Sequence, residues 1–335
     1  MTGSTEAGLP EVQALPQTLL PWRRLPFPAP WDEIFGSRSP LHLEIGFGDG
    51  RYTARRALAN PEERFVGLEI STASVMRAVR RMKRDGARNV RLLKVGAQFA
   101  VRHLFEPASL SSITVNFPDP WPKERHEKNR LLNRRFLRLA ASRLCTGGEL
   151  LLATDHPDYL EFSRSEARQT GLFDLEARDP PAAVFETKYA LKWREQGKPL
   201  YYQAFLLRPG PVPEFPILER PAQMPHALLT GTPPVEPQFS KRALEYGDGH
   251  VILHEVVRSL SSELPERLLV RVTVDEPDLK QQLLVAVQRR DGGELIVRLE
   301  PFGDPIITKT ARGAVHGVTE WLLEQPGVRV LERNY

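Results

Sequence analysis

The chain has 335 residues, of which 41% are apolar and 26% charged, and its formal net charge is +4. This composition is ordinary for a globular protein, and the length suggests two domains with room for a sizeable core. The single cysteine, Cys145, excludes an internal disulfide. Because neither an apolar run of about 18 residues nor a secretory signal is present, no membrane span is expected and the cytoplasm is the expected location.

Prolines divide the chain into four predicted segments. Seven prolines within residues 1–40 predict a mostly irregular N-terminal segment. Nine prolines within residues 209–237 predict a linker over 209–245. The two predicted domains are therefore residues 41–208 and 246–335.

Residues 41–208 alternate between apolar strands and helices. The predicted strands are 42–45, 64–70, 90–95, 113–116, 149–154 and 201–207, and the predicted helices are 51–58, 71–84 and 131–144. Ser71 is expected to cap the second of these helices. Such alternation predicts an α/β domain, a parallel sheet with helices on both faces.

Residues 246–335 predict a small α+β domain of unknown role. Alternating valines predict a strand over 268–274, followed by an amphipathic helix over 279–289, a strand over 294–299 and a helix over 311–324. This region contains no repeat and no catalytic motif. RNA contacts, self-association and stabilisation of the fold all remain open as its role.

A glycine-rich turn follows the first predicted strand. Residues 43–50 read LEIGFGDG, and Glu69 ends the second strand at about the spacing of a carboxylate that binds ribose hydroxyls. The glycines are spaced G-x-G-x-G, not G-x-G-x-x-G, and Glu44 precedes the first of them by two residues. An acid at that position suits the positive charges of S-adenosylmethionine better than a pyrophosphate. The pattern therefore favours a methyltransferase over a dehydrogenase.

A proline-bounded loop follows the fourth predicted strand. Residues 116–122 read NFPDPWP, which neither a helix nor a central strand can contain. Ligands of open parallel sheets bind at the carboxyl ends of the strands, so this stiff loop would present Asp119 at such a site. Trp121 is expected either to stack on a base or to pack under the loop.

Two basic clusters flank this loop in the sequence. Residues 77–94 contain eight Lys and Arg against one acid, and residues 123–138 contain seven against two. One such cluster fits a solvated helix face as well as a phosphate-binding surface. Two clusters beside one candidate site favour a nucleic-acid substrate, with residues 123–138 holding phosphates. His126, inside the second cluster, is predicted to contact phosphate or solvent and not to act as a general base.

These motifs resemble the bacterial tRNA (guanine-N7-)-methyltransferase family. The resemblance covers about residues 41–208, and its most specific part is NFPDPWPKERHEKNR at 116–130. The other matching segments are LEIGFGDG, GLEIS at 67–71, ATDHPDY at 153–159, and ETKYALKW and GKPLYYQAF within 186–205. The resemblance implies a Rossmann-like fold and transfer of a methyl group from S-adenosylmethionine to N7 of a guanine in the tRNA variable loop.

The resemblance also implies roles for individual residues. Asp119 would be the catalytic carboxylate and would lie beside the cofactor. The implied cofactor-binding residues are Glu44, Gly46, Gly48, Glu69, Gly96, Ala97, Asn116 and Asp119, and the implied substrate-binding residues are Lys123, Asp155, Thr187, Lys188 and Tyr189. The chain departs from the family pattern at Gly96, where an acid that contacts adenine is usual, and at Ala190, where a glutamate is usual.

Other functions remain open from sequence alone. The chain could be a methyltransferase for another RNA position or for a small molecule, although the basic clusters count against a small substrate. It could also be an RNA-binding module with a degenerate cofactor pocket, which Gly96 would fit. No His, Cys and Asp cluster has metal-ligand spacing, so no metal site is predicted. The sequence does not predict an oligomeric state.

Overall fold

A computed structural model describes residues 18–187, 190, 199–232, 237–259 and 267–335. Contacts divide the chain into two compact units, Met1–Ile217 and Leu218–Tyr335. The prediction of a linker over 209–245 is wrong in its extent. Residues 209–217 belong to the first unit. The predicted linker also contains the strand His226–Thr230 and most of the strand Arg242–Tyr246, both of the second unit.

Among the described residues, the first unit contains seven strands and seven α-helices whose bounds are defined. The strands are β1 (Leu41–Ile45), β2 (Arg64–Glu69), β3 (Val90–Lys94), β4 (Leu110–Asn116), β5 (Leu144–Thr154), β6 (Phe173–Ala177) and β7 (Tyr201–Leu207). The helices are α1 (Trp31–Phe35), α2 (Arg51–Ala59), α3 (Thr72–Asp85), α4 (Ala97–His103), α5 (Arg134–Arg143), α6 (Pro157–Thr170) and α7 (Ala182–Phe185).

The seven strands form one sheet in the order β3-β2-β1-β4-β5-β7-β6. The pairs from β3 through β5 are parallel, as predicted, whereas β7 runs antiparallel to both β5 and β6. Strand β1 lies between β2 and β4, so the chain order reverses there. Open parallel sheets bind ligands in the crevice at the carboxyl ends of the strands, beside such a reversal.

Burial explains why these strands form a central sheet. Strands β1, β2 and β4 are buried along almost their whole length, as expected for parallel strands covered on both faces. Helix α2 contacts α3 and α7, whereas α5 contacts α4 and α6, so the helices form two groups. Ser71 caps α3 as predicted, because its hydroxyl accepts a hydrogen bond from the Ser74 N–H at 3.4 Å.

The proline-rich segments at both ends of the first unit are held by hydrogen bonds to its core. The indole N–H groups of Trp22 and Trp31 donate to the carbonyls of Lys94 and Leu104. At the other end, the fully buried guanidinium of Arg143 donates to the carbonyl of Phe215 at 2.9 Å. These bonds hold both segments against the first unit, so the irregular stretch at 209–217 is part of that unit and not a linker.

The second unit is one antiparallel sheet with a helix on one face. Its strands are β8 (His226–Thr230), β9 (Arg242–Tyr246), β10 (Gly249–Arg258), β11 (Arg267–Asp275), β12 (Lys280–Arg289), β13 (Leu295–Leu299) and β14 (Arg329–Asn334), and its helix is α8 (Lys309–Leu323). The sheet order is β14-β8-β13-β12-β11-β10-β9. Trp321 of α8 is fully buried among valines and leucines of the sheet, which confirms the predicted α+β class.

The predicted helix over 279–289 is wrong, because these residues form β12. Leu283, Val285 and Val287 face the core with the period of two that a strand requires, and β12 pairs with both β11 and β13. The intervening Leu284 and Ala286 made the apolar pattern continuous, and a short continuous run does not distinguish a helix from a buried strand. Among the helices of the described residues, none has the length and apolar character needed to cross a membrane.

Candidate active site

The carboxyl ends of four strands meet at the reversal of strand order. Ile45 of β1 lies opposite Leu68 of β2 and Val115 of β4, and Leu68 lies opposite Leu93 of β3. The glycine turn, Glu69, Gly96 and the loop that begins at Asn116 therefore follow neighbouring positions along one edge of the sheet. The sequence predicted each of these features separately, and the sheet register brings them together.

The glycine turn depends on glycine at three positions. Gly46, Gly48 and Gly50 have φ of +75°, +56° and +76°, a region that residues with a side chain rarely adopt. A Cβ on Gly50 would lie 2.8 Å from the Cβ of Ala78, so glycine also allows α2 and α3 to pack closely. A Cβ on Gly46 or Gly48 would meet nothing within 4 Å, so open space lies beside the turn at these two positions.

Glu69 holds the glycine turn against the end of β2. Its Oε2 accepts a hydrogen bond from the Gly48 N–H at 3.1 Å, and its Oε1 accepts from the N–H groups of Ile70 and Ser71 at 2.8 and 3.0 Å. A carboxylate has about four acceptor positions. Glu69 is half-buried and retains capacity for a ligand hydroxyl, in addition to a structural role that the sequence did not predict.

Glu44 is a buried carboxylate shared by three elements. It lies on β1 and is only 6% exposed. The hydroxyl of Thr53, on α2, donates to its Oε2, and the amide of Asn116, at the end of β4, donates to its Oε1 at 3.2 Å. Burial raises the pKa of Glu44 from 4.5 to about 7, although both hydrogen bonds favour the ionised form.

Asn116 leaves an acceptor without a partner beside this carboxylate. Its Oδ1 is buried and accepts no hydrogen bond from any residue that the structure describes. A buried acceptor of this kind is costly unless a donor reaches it. An ammonium group next to Glu44 would supply both a donor for Asn116 and a counter-charge for the carboxylate, so these residues fit the amino group of S-adenosylmethionine.

Gly96 lies two residues after the end of β3 and is the N-cap of α4, of which Ala97 is the first residue. Its φ of −68° and ψ of 143° suit any residue, and a Cβ there would meet nothing within 4 Å. The absence of the usual acid therefore does not reflect a steric requirement for glycine. Open space at Gly96 fits a bound ring at this edge of the sheet, with the backbone available for contacts.

The loop at 116–122 contains two backbone conformations that are rare for residues with a side chain. Phe117 has φ of +51° and Trp121 has φ of +42°. Such residues cost on the order of 1–3 kcal/mol each, and they cluster at functional sites where the surroundings hold them. The Phe117 N–H donates to the carbonyl of Ala153 at 2.8 Å, which holds the start of the loop against the end of β5.

Arg130 holds the other end of this loop. Its Nε donates to the carbonyl of Pro120 at 3.0 Å and its Nη2 to that of Trp121 at 3.4 Å. Its Nη1 pairs with Glu127 at 2.9 Å, and its Cζ lies 4.8 Å from the ring centroid of Phe162. The side chain is only 9% exposed. Arg130 thus fixes the backbone on the C-terminal side of Asp119.

The sequence predicts that the whole basic run at 123–138 holds phosphates. The structure does not support this role for Arg130, because its buried side chain donates to Pro120, Trp121 and Glu127 inside the protein. Lys123, Arg125 and Lys128 are exposed and remain candidates for phosphate contacts. His126 packs edge-on against Trp121, with ring centroids 5.7 Å apart, and is half-buried. Trp121 is 36% exposed, so its ring packs against His126 and is still accessible to a base.

The predicted substrate residues differ in where they lie. Asp119 and Lys123 are exposed on the loop, and half-buried Asp155 follows β5, whose Ala153 pairs with Asn116. The hydroxyl of buried Thr187 donates to the carbonyl of Val184 at 2.9 Å and accepts from the Ala190 N–H at 3.1 Å. Thr187 therefore stabilises its own turn. Lys188 and Tyr189 lie outside the described residues.

Sequence reasoning missed Thr53 as a partner of Glu44 and Arg130 as the residue that holds the loop. A threonine inside a helix and an arginine inside a basic run give no sign of such contacts in the sequence. Within the described part of the chain, no group of three or more His, Cys, Asp and Glu side chains is arranged to hold a metal ion.

The raised pKa of Glu44 predicts that Glu44→Gln changes stability in a pH-dependent way. Between pH 4.5 and about 7, the folded chain retains a proton that the unfolded chain releases, so wild-type stability falls as the pH rises. At pH 8 the glutamine variant should therefore be more stable than wild type by about 2–3 kcal/mol, with near parity at pH 4.5. Urea unfolding at both pH values measures this, and an equal difference at both would contradict the burial argument.

The contacts of Arg130 predict that Arg130→Met loosens the loop without weakening RNA contacts. Two hydrogen bonds from a charged donor are lost, so amide exchange at Phe117, Asp119 and Trp121 should increase at least about tenfold. Hydrogen exchange measured by NMR checks this expectation.

Lys128→Met is the matched control, since Lys128 is exposed in the same turn. We expect it to leave exchange in the loop unchanged and to reduce the salt dependence of RNA binding by about one unit of slope. The opposite pattern, in which Arg130→Met alters the salt slope and not the exchange, would make Arg130 a phosphate contact.

Comparisons with known proteins agree with this arrangement. A family described as "Putative methyltransferase" matches residues 38–203. A tRNA (guanine-N(7)-)-methyltransferase of Thermus thermophilus is 42% identical over 94% of this chain and 98% of the relative. That of Deinococcus radiodurans is 41% identical over 88% and 92%. A shorter relative from Bacillus velezensis is 34% identical over 51% of this chain and 81% of its own length. The chain therefore belongs to the tRNA (guanine-N(7)-)-methyltransferase family.

Proposed function

We propose that this chain transfers the methyl group of S-adenosylmethionine to N7 of a guanine in the variable loop of tRNA. The observation that carries the proposal is the meeting of the glycine turn, buried Glu44 and the loop at 116–122 where the strand order reverses, in a chain of this family. Because tRNA is the substrate, the cytoplasm is the place of action.

Three parts of the site would hold the cofactor. Glu44 and Asn116 bind its amino group, since one supplies a buried negative charge and the other an acceptor without a partner. Glu69 binds ribose hydroxyls through its remaining acceptor capacity. The backbone at Gly96 and Ala97 borders the adenine, and Gly46 and Gly48 leave room for close approach. When bound, S-adenosylmethionine supplies an electrophilic methyl group on a sulfonium.

The chemistry requires alignment more than proton transfer. Guanine N7 carries an available lone pair, so no base need remove a proton before the attack. Methylation leaves positive charge on the purine, and Asp119 stabilises this charge from a loop whose two ends are fixed by Ala153 and Arg130. A carboxylate on a mobile loop would have to be ordered in every catalytic cycle, and the loop geometry avoids this cost.

The guanine leaves its stack to reach the site. Asp155 accepts hydrogen bonds from the guanine N1–H and exocyclic amine, and Lys123 contacts the neighbouring RNA. Thr187 acts indirectly, because its hydroxyl stabilises the turn that leads into Lys188 and Tyr189, the residues proposed to hold the base.

The direct test is incubation of the full chain with unmodified tRNA and labelled S-adenosylmethionine, followed by mapping of the modified nucleotide. Label at N7 of a variable-loop guanine supports the proposal, and label elsewhere indicates another RNA position. Calorimetry with the cofactor alone addresses a binding module without catalysis, since the absence of cofactor binding would favour that alternative.

The proposed role of Asp119 predicts that Asp119→Asn reduces kcat on the order of 100-fold or more, since charge stabilisation at a reacting centre contributes about that factor. The affinity for tRNA should stay within about twofold, because the exposed side chain contributes no phosphate contact. Single-turnover rates and filter binding measure the two effects separately. Asp158→Asn, a change of an exposed acid in the first turn of α6, is the matched control. Wild-type turnover in Asp119→Asn would remove Asp119 from the mechanism.

The backbone at Gly96 predicts that Gly96→Asp is tolerated and tightens cofactor binding. The φ and ψ there suit aspartate, a Cβ has open space, and a carboxylate could accept a hydrogen bond from the adenine amine. One such bond corresponds to about a three- to tenfold lower Kd for S-adenosylmethionine. Calorimetry checks this value against Gly96→Asn, which adds a similar volume without the charge. Weaker binding by the aspartate variant would mean that adenine does not lie beside Gly96.

A further inference from the structure

Positive charge is distributed unequally between the two units. Met1–Ile217 contains 32 Lys and Arg against 25 Asp and Glu, whereas Leu218–Tyr335 contains 14 against 17. Phosphate contacts supply much of the affinity of proteins for nucleic acids, and they need Lys and Arg. The net negative charge of the second unit makes it a poor source of phosphate contacts, so the RNA-binding surface is to be sought on the first unit.

A groove between α2 and α3 concentrates arginines on the first unit. Its volume is about 480 Å³. Arg51 and Arg55 of α2 line one wall, and Arg81 and Arg84 of α3 line the other. The acids at its border are Asp85 and Glu186. Arg81 and Arg84 belong to the basic cluster at 77–94, whereas Arg51 and Arg55 lie outside it.

The ion pairs of these arginines leave donors available. Arg84 pairs with Asp85 at 2.8 Å, and Arg55 pairs with Glu186 at 2.6 Å, yet both arginine side chains are more than 60% exposed. Ion pairs of such exposed arginines are weak, so a phosphate can compete with them. A guanidinium has five N–H donors, and a carboxylate in the bidentate fork geometry engages two of them along one edge.

Arg81 has a different role from its neighbours. Its side chain is 21% exposed, and its Nε donates to the carbonyl of Asp49 at 3.0 Å while its Nη2 approaches the Asp49 carboxylate at 3.4 Å. Arg51 pairs with the same carboxylate at 3.0 Å. These contacts attach the groove to the end of the glycine turn, so a phosphate in the groove would lie beside the proposed cofactor site.

We propose that the groove between α2 and α3 binds a backbone phosphate of the RNA substrate through Arg55 and Arg84. The proposal rests on the proposed function, since it assigns a phosphate subsite to the same substrate. Arginine suits this ligand because its planar fork matches phosphate oxygens. Glu186 borders the groove one residue before Thr187 and therefore connects the phosphate subsite to the segment proposed to hold the base.

The first test is the double variant Arg55→Ala and Arg84→Ala, with both sites on exposed helix faces where alanine is a good helix former. Binding of unmodified tRNA, measured by fluorescence anisotropy without cofactor, should weaken about tenfold. The slope of log affinity against log salt should fall in magnitude by about one unit. The Kd for S-adenosylmethionine should remain unchanged.

Arg168→Ala is the matched control, because Arg168 of α6 is 59% exposed and pairs with Glu161 at 2.9 Å. We expect it to bind tRNA as wild type does. If the control and the double variant weakened tRNA binding equally, the cause would be the loss of positive charge in general and not the loss of the groove arginines. Unchanged affinity and salt slope in the double variant would overturn the proposal.

The second test has the opposite sign. Glu186→Gln removes the carboxylate that competes with phosphate for Arg55, so tRNA affinity at low salt should increase about threefold. Weaker binding by this variant would overturn the proposed phosphate subsite. The readout is binding and not methyl transfer, so a wild-type chain that binds tRNA without methylating it would refute the proposed function and leave the groove testable.

Discussion

The buried carboxylate of Glu44 is the constraint on which the rest of the site depends. A charge at 6% exposure is unfavourable unless its oxygens are satisfied, and Thr53 from α2 and Asn116 from β4 donate to it. Three elements are thus fixed around one group at the point where the strand order reverses. The pKa of about 7 shows that burial is only partly compensated. A cationic ligand would complete the compensation. The buried Glu44 carboxylate, which lowers the stability of the fold, would then contribute affinity for that ligand.

The loop at 116–122 extends this constraint toward the substrate. Asn116 is both a partner of Glu44 and the residue from which the loop starts, so the cofactor end and the chemical end share one anchor. Strain at Phe117 and Trp121 persists because Ala153 and Arg130 hold the backbone on either side of Asp119. The prolines limit the loop conformations further. The exposed carboxylate of Asp119 therefore has a defined position without being buried, which suits the role proposed for it toward a large RNA.

The sequence predicted the fold where local signals and burial agree, and it failed where they compete. Strands β1 to β5 were predicted because parallel strands buried on both faces read as apolar runs. The antiparallel strand β7 was predicted from its own apolar run. The segment at 279–289 was misread because Leu284 and Ala286 hide the period of β12, and only pairing with β11 and β13 decides between helix and strand. Glu44, Glu69 and Asp119 were predicted as site residues from their positions relative to the strands. Arg130 and Thr53 were missed because their contacts exist only after the strands align.

Two observations distinguish the second unit from the unit that contains the proposed site. The Bacillus velezensis relative matches about half of this chain over 81% of its own length, whereas the Thermus thermophilus relative matches nearly all of it. A shorter chain of the same family therefore has little length for such a unit. Its 17 acids against 14 bases also set it apart from the first unit, whose excess of arginine suits phosphate. The proposed cofactor site and the proposed phosphate groove both lie in the first unit, and the second unit adds a core of its own in which Trp321 is fully buried.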